Sequence, residues 1–174
     1  TEAAVVPAND VPIFGDQLRY DNIPIPPAPV APPPSSNLDR LVISLEPVID
    51  LFTSKTAHYR LYLSMAKPEG GDVAQDVLFH HADRTGLRSD FDVFAAREAL
   101  QLVARLRQRD PALNIFMAIG PSTLQSESAL HRILENMRED SEAAGGVVFE
   151  LPHAMLAGLS DAGLEGLARL ARAG

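Results

Sequence analysis

Few side chains in this sequence could carry chemistry, and they do not cluster along the chain. The five histidines stand in a sequence without cysteine, so thiolate chemistry and disulfides are excluded. His80 and His81 are adjacent in a segment with a helical pattern, where neighbouring positions do not face one another and cannot share a metal ion. His58 and His131 are interpreted as solvated or core-edge side chains. The residue types therefore predict no zinc site.

The charge balance restricts the kinds of partner that the chain can bind. The formal net charge is −8, so we expect no general attraction to nucleic acid or to an anionic membrane. An anionic small ligand would need a local cluster of hydrogen-bond donors that overcomes the repulsion from this net negative charge. The sequence has no run of 18 or more apolar residues, so it predicts no transmembrane helix. We expect a cytoplasmic segment of a longer protein, since it does not begin with Met, and other segments could anchor that parent to a membrane.

Residues 1–36 differ in composition from residues 37–174. Seven of the 14 prolines fall between Pro24 and Pro34, and proline fixes φ and removes a backbone donor, so this stretch can be neither helix nor central strand. We interpret residues 1–36 as a Pro-rich arm followed by an extended linker. Docking of the prolines into an aromatic groove is the alternative. The apolar residues 11–14 are predicted to pack on the domain as a short arm.

From residue 37 onward, short apolar runs alternate with amphipathic segments. Four apolar runs are predicted to be strands, at residues 41–45, 58–65, 114–119 and 147–151. Helical spacing is found at residues 73–84, from a cap at Ser89 or Asp90 to about Arg109, at 126–138, and at 161–173 after a Ser160 cap. Apolar strands separated by helices are typical of a largely parallel α/β sheet.

Several short motifs, in order and in register, resemble the EAL-domain family of cyclic di-GMP phosphodiesterases. Residues 46–51 are similar to its Gln-Pro-Ile-Val-Asp-Leu, residues 53–55 stand at its Thr-Gly-Arg hairpin, and residues 67–71 resemble its His-Pro-Glu-Gly-Gly turn. Residues 85–100 resemble its Thr-Gly-Leu and the helix that follows, and residues 149–151 the start of its Glu-Ile-Thr-Glu. The resemblance implies an EAL-like (β/α) barrel, of which residues 37–174 are the N-terminal half.

The signature of that family is changed here. Arg60 stands where the family has a metal-binding Glu, and Ser64 replaces an Arg that contacts the dinucleotide phosphate. Ala118 takes the place of a metal-binding Asn, and His153 that of the last Glu of Glu-Ile-Thr-Glu, whereas Glu150 remains. An Arg cannot ligate a cation, and magnesium needs several oxygen ligands together. The resemblance therefore implies no catalytic residues, no metal and no cofactor.

The length of the chain gives a second argument against catalysis. A complete (β/α)8 barrel takes about 250 residues, and the strands that carry the family's Asp-Asp pair, Lys and further Glu would follow residue 174. Two-metal hydrolysis depends on those groups, so we expect no phosphodiesterase activity. A half barrel would also leave apolar faces and edges bare. We therefore expect a homo-oligomer, a protein partner, or coverage by the rest of a longer parent.

Binding of cyclic di-GMP without hydrolysis stays open. The resemblance implies the ligand-binding candidates Glu46, Arg60, Ser64, Pro68, Asp92 and Glu150. Arg60 could supply the phosphate contact that Ser64 removes, a charge-assisted bond stronger than a neutral one. Alternatively, Arg60 pairs with Glu150 or Glu46 inside the protein. The alternative for Asp92 is that its negative charge only interacts favourably with the helix dipole near the start of its helix.

Two functions follow from these alternatives. The first is a non-catalytic regulatory or scaffolding module that acts through protein–protein contacts. The resemblance places such modules in bacterial signalling that controls motility, polarity or the cell cycle. The second is a cyclic di-GMP receptor that does not hydrolyse its ligand.

Overall fold

The computed structural model describes residues 37–174, and the arm and linker predicted for residues 1–36 lie outside the described residues. A short 3-10 helix, Asn37–Arg40, precedes the first strand. The strands are β1 (Leu41–Asp50), β2 (Lys55–Ala66), β3 (Asp72–Val73), β4 (Ile115–Ala118) and β5 (Val147–Glu150). The helices are α1 (Gln75–Thr85), α2 (Arg88–Leu106), α3 (Pro121–Gln125), α4 (Glu127–Glu139), α5 (Ser141–Ala144), α6 (His153–Ala157) and α7 (Asp161–Ala173).

The strands form one sheet in the order β1-β2-β4-β5, with β3 paired to the end of β2. The β2–β4 and β4–β5 pairs are parallel, and helices connect their strands. The mixed α/β prediction is confirmed. The expectation of a largely parallel sheet needs one correction, because β1 and β2 are antiparallel. A four-residue turn joins them, and a parallel pair would need a long crossover.

Alternation along the strands gives the sheet two different faces. On one face the side chains of Leu61, Leu63, Ile115 and Met117 are at most 2% exposed. This face packs mainly on the apolar sides of α1 and α2, and α4 packs in turn against α2. The other face, which we call the open face, is half-buried to exposed along all four long strands. Its residues are Val42, Ser44, Glu46, Arg60, Tyr62, Ser64, Phe116, Ala118, Val148 and Glu150.

The four predicted helices are observed, with corrections at the start of α1 and at both ends of α2. Helix α1 begins at Gln75, because Val73 belongs to β3, and α2 ends at Leu106 and not at about Arg109. Ser160 caps α7 as predicted, since its hydroxyl accepts a hydrogen bond from the Gly163 N–H at 3.3 Å. The predicted cap at Ser89 or Asp90 is wrong, because α2 already begins at Arg88 and has no side-chain cap. Gly86, in the left-handed region with φ 74°, ends α1. Only one further residue then precedes α2.

A buried ion pair on α2 fixes the junction between β4 and α3. Asp92 is 1% exposed and Arg88 is 4% exposed, and Arg88 Nε donates to Asp92 Oδ1 at 2.8 Å. The second oxygen, Oδ2, accepts from the Gly120 N–H at 2.7 Å and from the Thr123 hydroxyl at 2.6 Å. Burial raises the pKa of Asp92, although Arg88, Thr123 and Gly120 oppose that shift by stabilising the carboxylate. These hydrogen bonds connect α2 to the junction between β4 and α3.

Three further residues, Phe79, Asp83 and Gly120, lie close to the Arg88 guanidinium, and a carboxylate oxygen of Asp83 is 3.7 Å from Nη1. The central carbon of the guanidinium lies 3.6 Å from the centroid of the Phe79 ring on α1, within the range of a cation–π contact. A Cβ at position 120 would lie 2.8 Å from Arg88 Cγ. This close approach is why a glycine stands at the end of β4. The arginine side chain therefore packs against α1 and the β4–α3 loop at once.

Replacement of Asp92 by alanine should strongly destabilise the fold, because it leaves the buried Arg88 with only the more distant Asp83 carboxylate, 3.7 Å away. We expect Asp92→Ala to lower the free energy of unfolding by about 3–5 kcal/mol in urea denaturation. The double variant Asp92→Leu with Arg88→Met should recover part of that loss. Asp90→Ala is the control on the same helix, because its carboxylate is 51% exposed and pairs at the surface with Arg132. That change should cost less than about 1 kcal/mol. Wild-type stability of Asp92→Ala would rule out the structural role.

Candidate functional site

Strands β2, β4 and β5 bring Arg60, Ala118 and Glu150 together on the open face. Arg60 pairs in register with Phe116 on β4, and Ala118 pairs with Glu150 on β5. Because β4 lies between the other two strands, the Arg60 side chain must cross β4 to reach Glu150. At the level of Glu150, β4 carries only the methyl group of Ala118. The small side chain leaves room for the guanidinium.

The contact between Arg60 and Glu150 is bidentate. Nε of Arg60 donates to Oε2 of Glu150 at 3.0 Å, and Nη2 donates to Oε1 at 2.7 Å. The two side chains are 44% and 33% exposed. The pKa of Arg60 is raised above its usual value, first by the hydrogen bond to Glu150 and then by the Tyr62 hydroxyl. The guanidinium is therefore a permanent positive charge whose planar fork matches the carboxylate.

The residues at this position do not fit a divalent metal ion. Both oxygens of Glu150 already accept hydrogen bonds from Arg60, and Ala118 has no side-chain oxygen. Within residues 37–174, no three His, Cys, Asp or Glu side chains are close enough together to hold a metal. Magnesium and calcium need several oxygen ligands, and the guanidinium would repel either ion.

Glu46 lies directly opposite Arg60 on β1. It is exposed, and the Arg60 Nε and Nη2 donors go to Glu150 instead. Of the two partners predicted for Arg60 inside the protein, the structure therefore selects Glu150. Glu46 remains on the open face as a carboxylate next to the pair.

The other candidates from the sequence are not brought together with this pair. Ser64 lies four residues further along β2, and its Oγ is 3.5 Å from a carboxylate oxygen of Asp72. Pro68 is exposed in the turn between β2 and β3. Asp92 belongs to the buried network, and at 1% exposure it offers almost no surface to a ligand. The neighbourhood of Ser64 thus holds an acidic group where a phosphate would need a cation.

Two aromatic residues of the open face were missed by the sequence reasoning. Tyr62 lies on β2 between Arg60 and Ser64, and it contributes to the raised pKa of Arg60. Phe116 lies on β4 opposite Arg60, with its ring centroid 5.7 Å from that of His58. The period-two pattern of a strand would have placed Tyr62 on the face of Arg60. The sequence interpretation followed the family motif instead.

Comparisons with solved structures agree with this architecture. The PaMucR phosphodiesterase in its c-di-GMP complex superposes with a TM-score of 0.68 at 18% identity, over 78% of this chain and 56% of that one. The FimX EAL domain of Xanthomonas citri, in complex with c-diGMP, gives 0.64 at 17% identity, over 78% and 52%. The S helix-GGDEF-EAL segment of Vibrio cholerae LapD, bound to c-di-GMP, gives 0.66 at 14% identity, over 78% and 32%. At these identities the likeness shows the fold alone, and the chain spans about half the length of the first two structures.

No curated protein sequence matches the chain significantly. Within residues 37–174, none of the helices combines the length and the apolar character needed to cross a membrane. The family model described as the EAL domain matches residues 34–174. This match covers most of the chain and confirms the resemblance seen in the motifs. The chain therefore belongs to the EAL domain family.

Proposed function

We propose that this chain is a non-catalytic, cytoplasmic EAL module that acts in bacterial signalling through contacts with other proteins. The bidentate Arg60–Glu150 pair carries the proposal, because it occupies both oxygens of a carboxylate that the family resemblance assigns to a metal. Control of motility, polarity or the cell cycle is the context that the resemblance implies. We further propose that residues 1–36 serve as a linker to the EAL segment at residues 37–174.

The electrostatic cost of binding a metal ion at Glu150, beside Arg60, supports a non-catalytic role. A divalent ion bound to Glu150 would sit within a few ångströms of the Arg60 guanidinium, which cannot lose its proton. Two like unit charges 4 Å apart repel by about 4 kcal/mol at an effective dielectric constant of 20, and a divalent ion roughly doubles this. Binding would also require the loss of both hydrogen bonds of the pair. Glu150 alone does not offset these costs.

The composition of the open face supports a role in protein contact. Val42 is 40% exposed, and Tyr62 and Phe116 are half-buried beside the charged pair. Aromatic residues and arginine are enriched in protein interfaces, where they supply most of the binding energy. A face of this kind suits a protein surface better than a small anion, because Glu46 and Glu150 add two negative charges to it.

The Arg60–Glu150 pair predicts a modest loss of stability when Arg60 is truncated. We expect Arg60→Ala to lower the free energy of unfolding by about 0.5–1 kcal/mol in urea, because a partly exposed pair contributes little more than that. The difference from wild type should shrink in 1 M salt, where the charges are screened. Arg138→Ala is the control, since Arg138 is exposed on α4 and, within residues 37–174, forms no salt bridge with an acidic side chain. Equal stabilities of Arg60→Ala and wild type would contradict the expected contribution of the pair to the free energy of unfolding.

A cyclic di-GMP receptor without hydrolysis is the second candidate. The solved relatives MucR, FimX and LapD are described in complex with c-di-GMP, and Glu46, Arg60 and Glu150 share one face in this chain. The receptor would have to break the Arg60–Glu150 pair in order to turn the guanidinium towards a phosphate. Ser64 and Asp72 offer no cation to assist it.

Calorimetry separates the two candidates. The 174-residue chain is titrated with cyclic di-GMP at tens of micromolar, and the scaffold proposal predicts no heat of binding. Heat that disappears in Arg60→Ala would instead establish the receptor. In parallel, incubation with cyclic di-GMP and Mg²⁺ or Mn²⁺ should yield no linear dinucleotide by chromatography. Turnover that is lost in Glu150→Gln would contradict the non-catalytic assignment.

A further inference from the structure

The β1–β2 hairpin extends beyond the rest of the sheet. Pairing between β2 and β4 begins at Tyr59, whereas β2 itself begins at Lys55. Four residues at a rise of about 3.3 Å each carry the two strands about 13 Å past the start of β4. Residues 51–54 form the turn at the end of this extension, and we call them the tip. The tip therefore projects from the sheet on two strands only.

The tip presents two large apolar side chains to solvent. Phe52 is 101% exposed and Leu51 is 89% exposed, and Ile49 just behind them is 45% exposed. Within residues 37–174, no other large apolar side chain is as exposed as Leu51 and Phe52. Single exposed apolar residues are ordinary on a protein surface. An adjacent pair at the end of a projecting turn is typical of an interaction site.

The tip satisfies three of its four backbone N–H groups internally. The N–H groups of Phe52 and Thr53 donate to Oδ1 of Asp50 at 2.8 and 3.4 Å, and that of Ser54 donates to the Asp50 carbonyl at 2.8 Å. The Phe52 N–H, foremost among these groups, lowers the pKa of Asp50, so the bound carboxylate is ionised at neutral pH. A donor that is already satisfied inside the protein can leave water without the loss of a hydrogen bond. The tip can therefore enter an apolar medium in its present conformation.

The charge directly behind the tip is a free ammonium group. Lys55 is exposed and pairs in register with Asp50, but the Asp50 carboxylate is bound by the N–H groups of the tip. Within residues 37–174, Lys55 forms no salt bridge with an acidic side chain. An apolar tip backed by a free cation matches the layers of a lipid surface, where hydrocarbon lies beneath the phosphates of the headgroups. This layering favours a bilayer over a groove on a protein.

We propose that the tip inserts Leu51 and Phe52 into the interfacial region of a lipid bilayer, with the Lys55 ammonium bound to a lipid phosphate. The net charge of −8 selects the kind of lipid, because it repels an anionic membrane and leaves a zwitterionic surface such as phosphatidylcholine. The exposed hydroxyls of Thr53 and Ser54 stay at the hydrated level of the headgroups. Two apolar side chains bind a membrane only weakly and reversibly. This inference does not depend on the Arg60–Glu150 pair.

Co-sedimentation with phosphatidylcholine vesicles tests the binding of the 174-residue chain at millimolar lipid. We expect the partition coefficient to fall at least about tenfold in Phe52→Ser, because a large aromatic side chain no longer leaves water. The exposed Phe52 has no packing to lose, so this variant keeps the fold. Val77→Ser is the matched control, since Val77 is 56% exposed on α1, which follows β3 at the opposite end of β2 from the tip. It should leave the partition coefficient unchanged.

Three results would overturn the proposal. The first is a chain that does not sediment with the vesicles, and the second is binding that Phe52→Ser leaves unchanged. The third is binding that requires anionic lipid, which is electrostatic adsorption. Self-association that is lost in Phe52→Ser, without any vesicle binding, would assign the tip to a protein contact instead.

Tryptophan fluorescence tests which residue enters the bilayer. The chain has no tryptophan, so Phe52→Trp and Val77→Trp each carry a single reporter. With phosphatidylcholine vesicles we expect the emission of Phe52→Trp to move to shorter wavelength and to be quenched by brominated acyl chains. The emission of Val77→Trp should not change. Unshifted emission at position 52 would contradict insertion. Failure here leaves the calorimetric and turnover results for the Arg60 face unaffected, so the two proposals are tested separately.

Discussion

A guanidinium held by both oxygens of Glu150 governs what the open face of this domain can do. The strand register sets the pair, because it places Arg60 and Glu150 on one face with Ala118 between them. A partly buried carboxylate such as that of Glu150 is stabilised by a positive partner. In the family that partner is implied to be a metal ion, and here it is a side chain. This exchange keeps the charge of Glu150 balanced. Under the proposed function, it also replaces a Lewis acid that could activate water with a fixed ion that cannot.

The two Arg–carboxylate pairs of the chain have different consequences because their surroundings differ. Arg88 and Asp92 are buried, and the remaining Asp92 oxygen binds Gly120 and Thr123, so this pair holds α2 to the end of β4. Arg60 and Glu150 are 44% and 33% exposed, so solvent screens them and their contribution to stability is small. The first pair therefore belongs to the fold. The second decides the chemistry of the face that the fold presents.

Much of the fold could be predicted from sequence because period-two and helical patterns are local. The four predicted strand cores all lie at observed strands, but β1 and β2 run on to Asp50 and Lys55. These extensions were missed because polar residues interrupt the apolar alternation there. The Arg60–Glu150 pair is one of the alternatives that the sequence predicts, since the family motifs place both residues at the same end of the barrel. The burial of Asp92 was not foreseen. Its partners Gly120 and Thr123 are 28 and 31 residues away, and no local pattern indicates that contact.

Crystals soaked in manganese test the central claim most directly, because Mn²⁺ gives an anomalous signal and accepts the oxygen ligands that magnesium uses. We predict no anomalous peak beside Glu150 on the open face, and an Arg60 side chain that keeps both hydrogen bonds to Glu150. A manganese ion bound to Glu150, with the guanidinium of Arg60 displaced from it, would contradict the account.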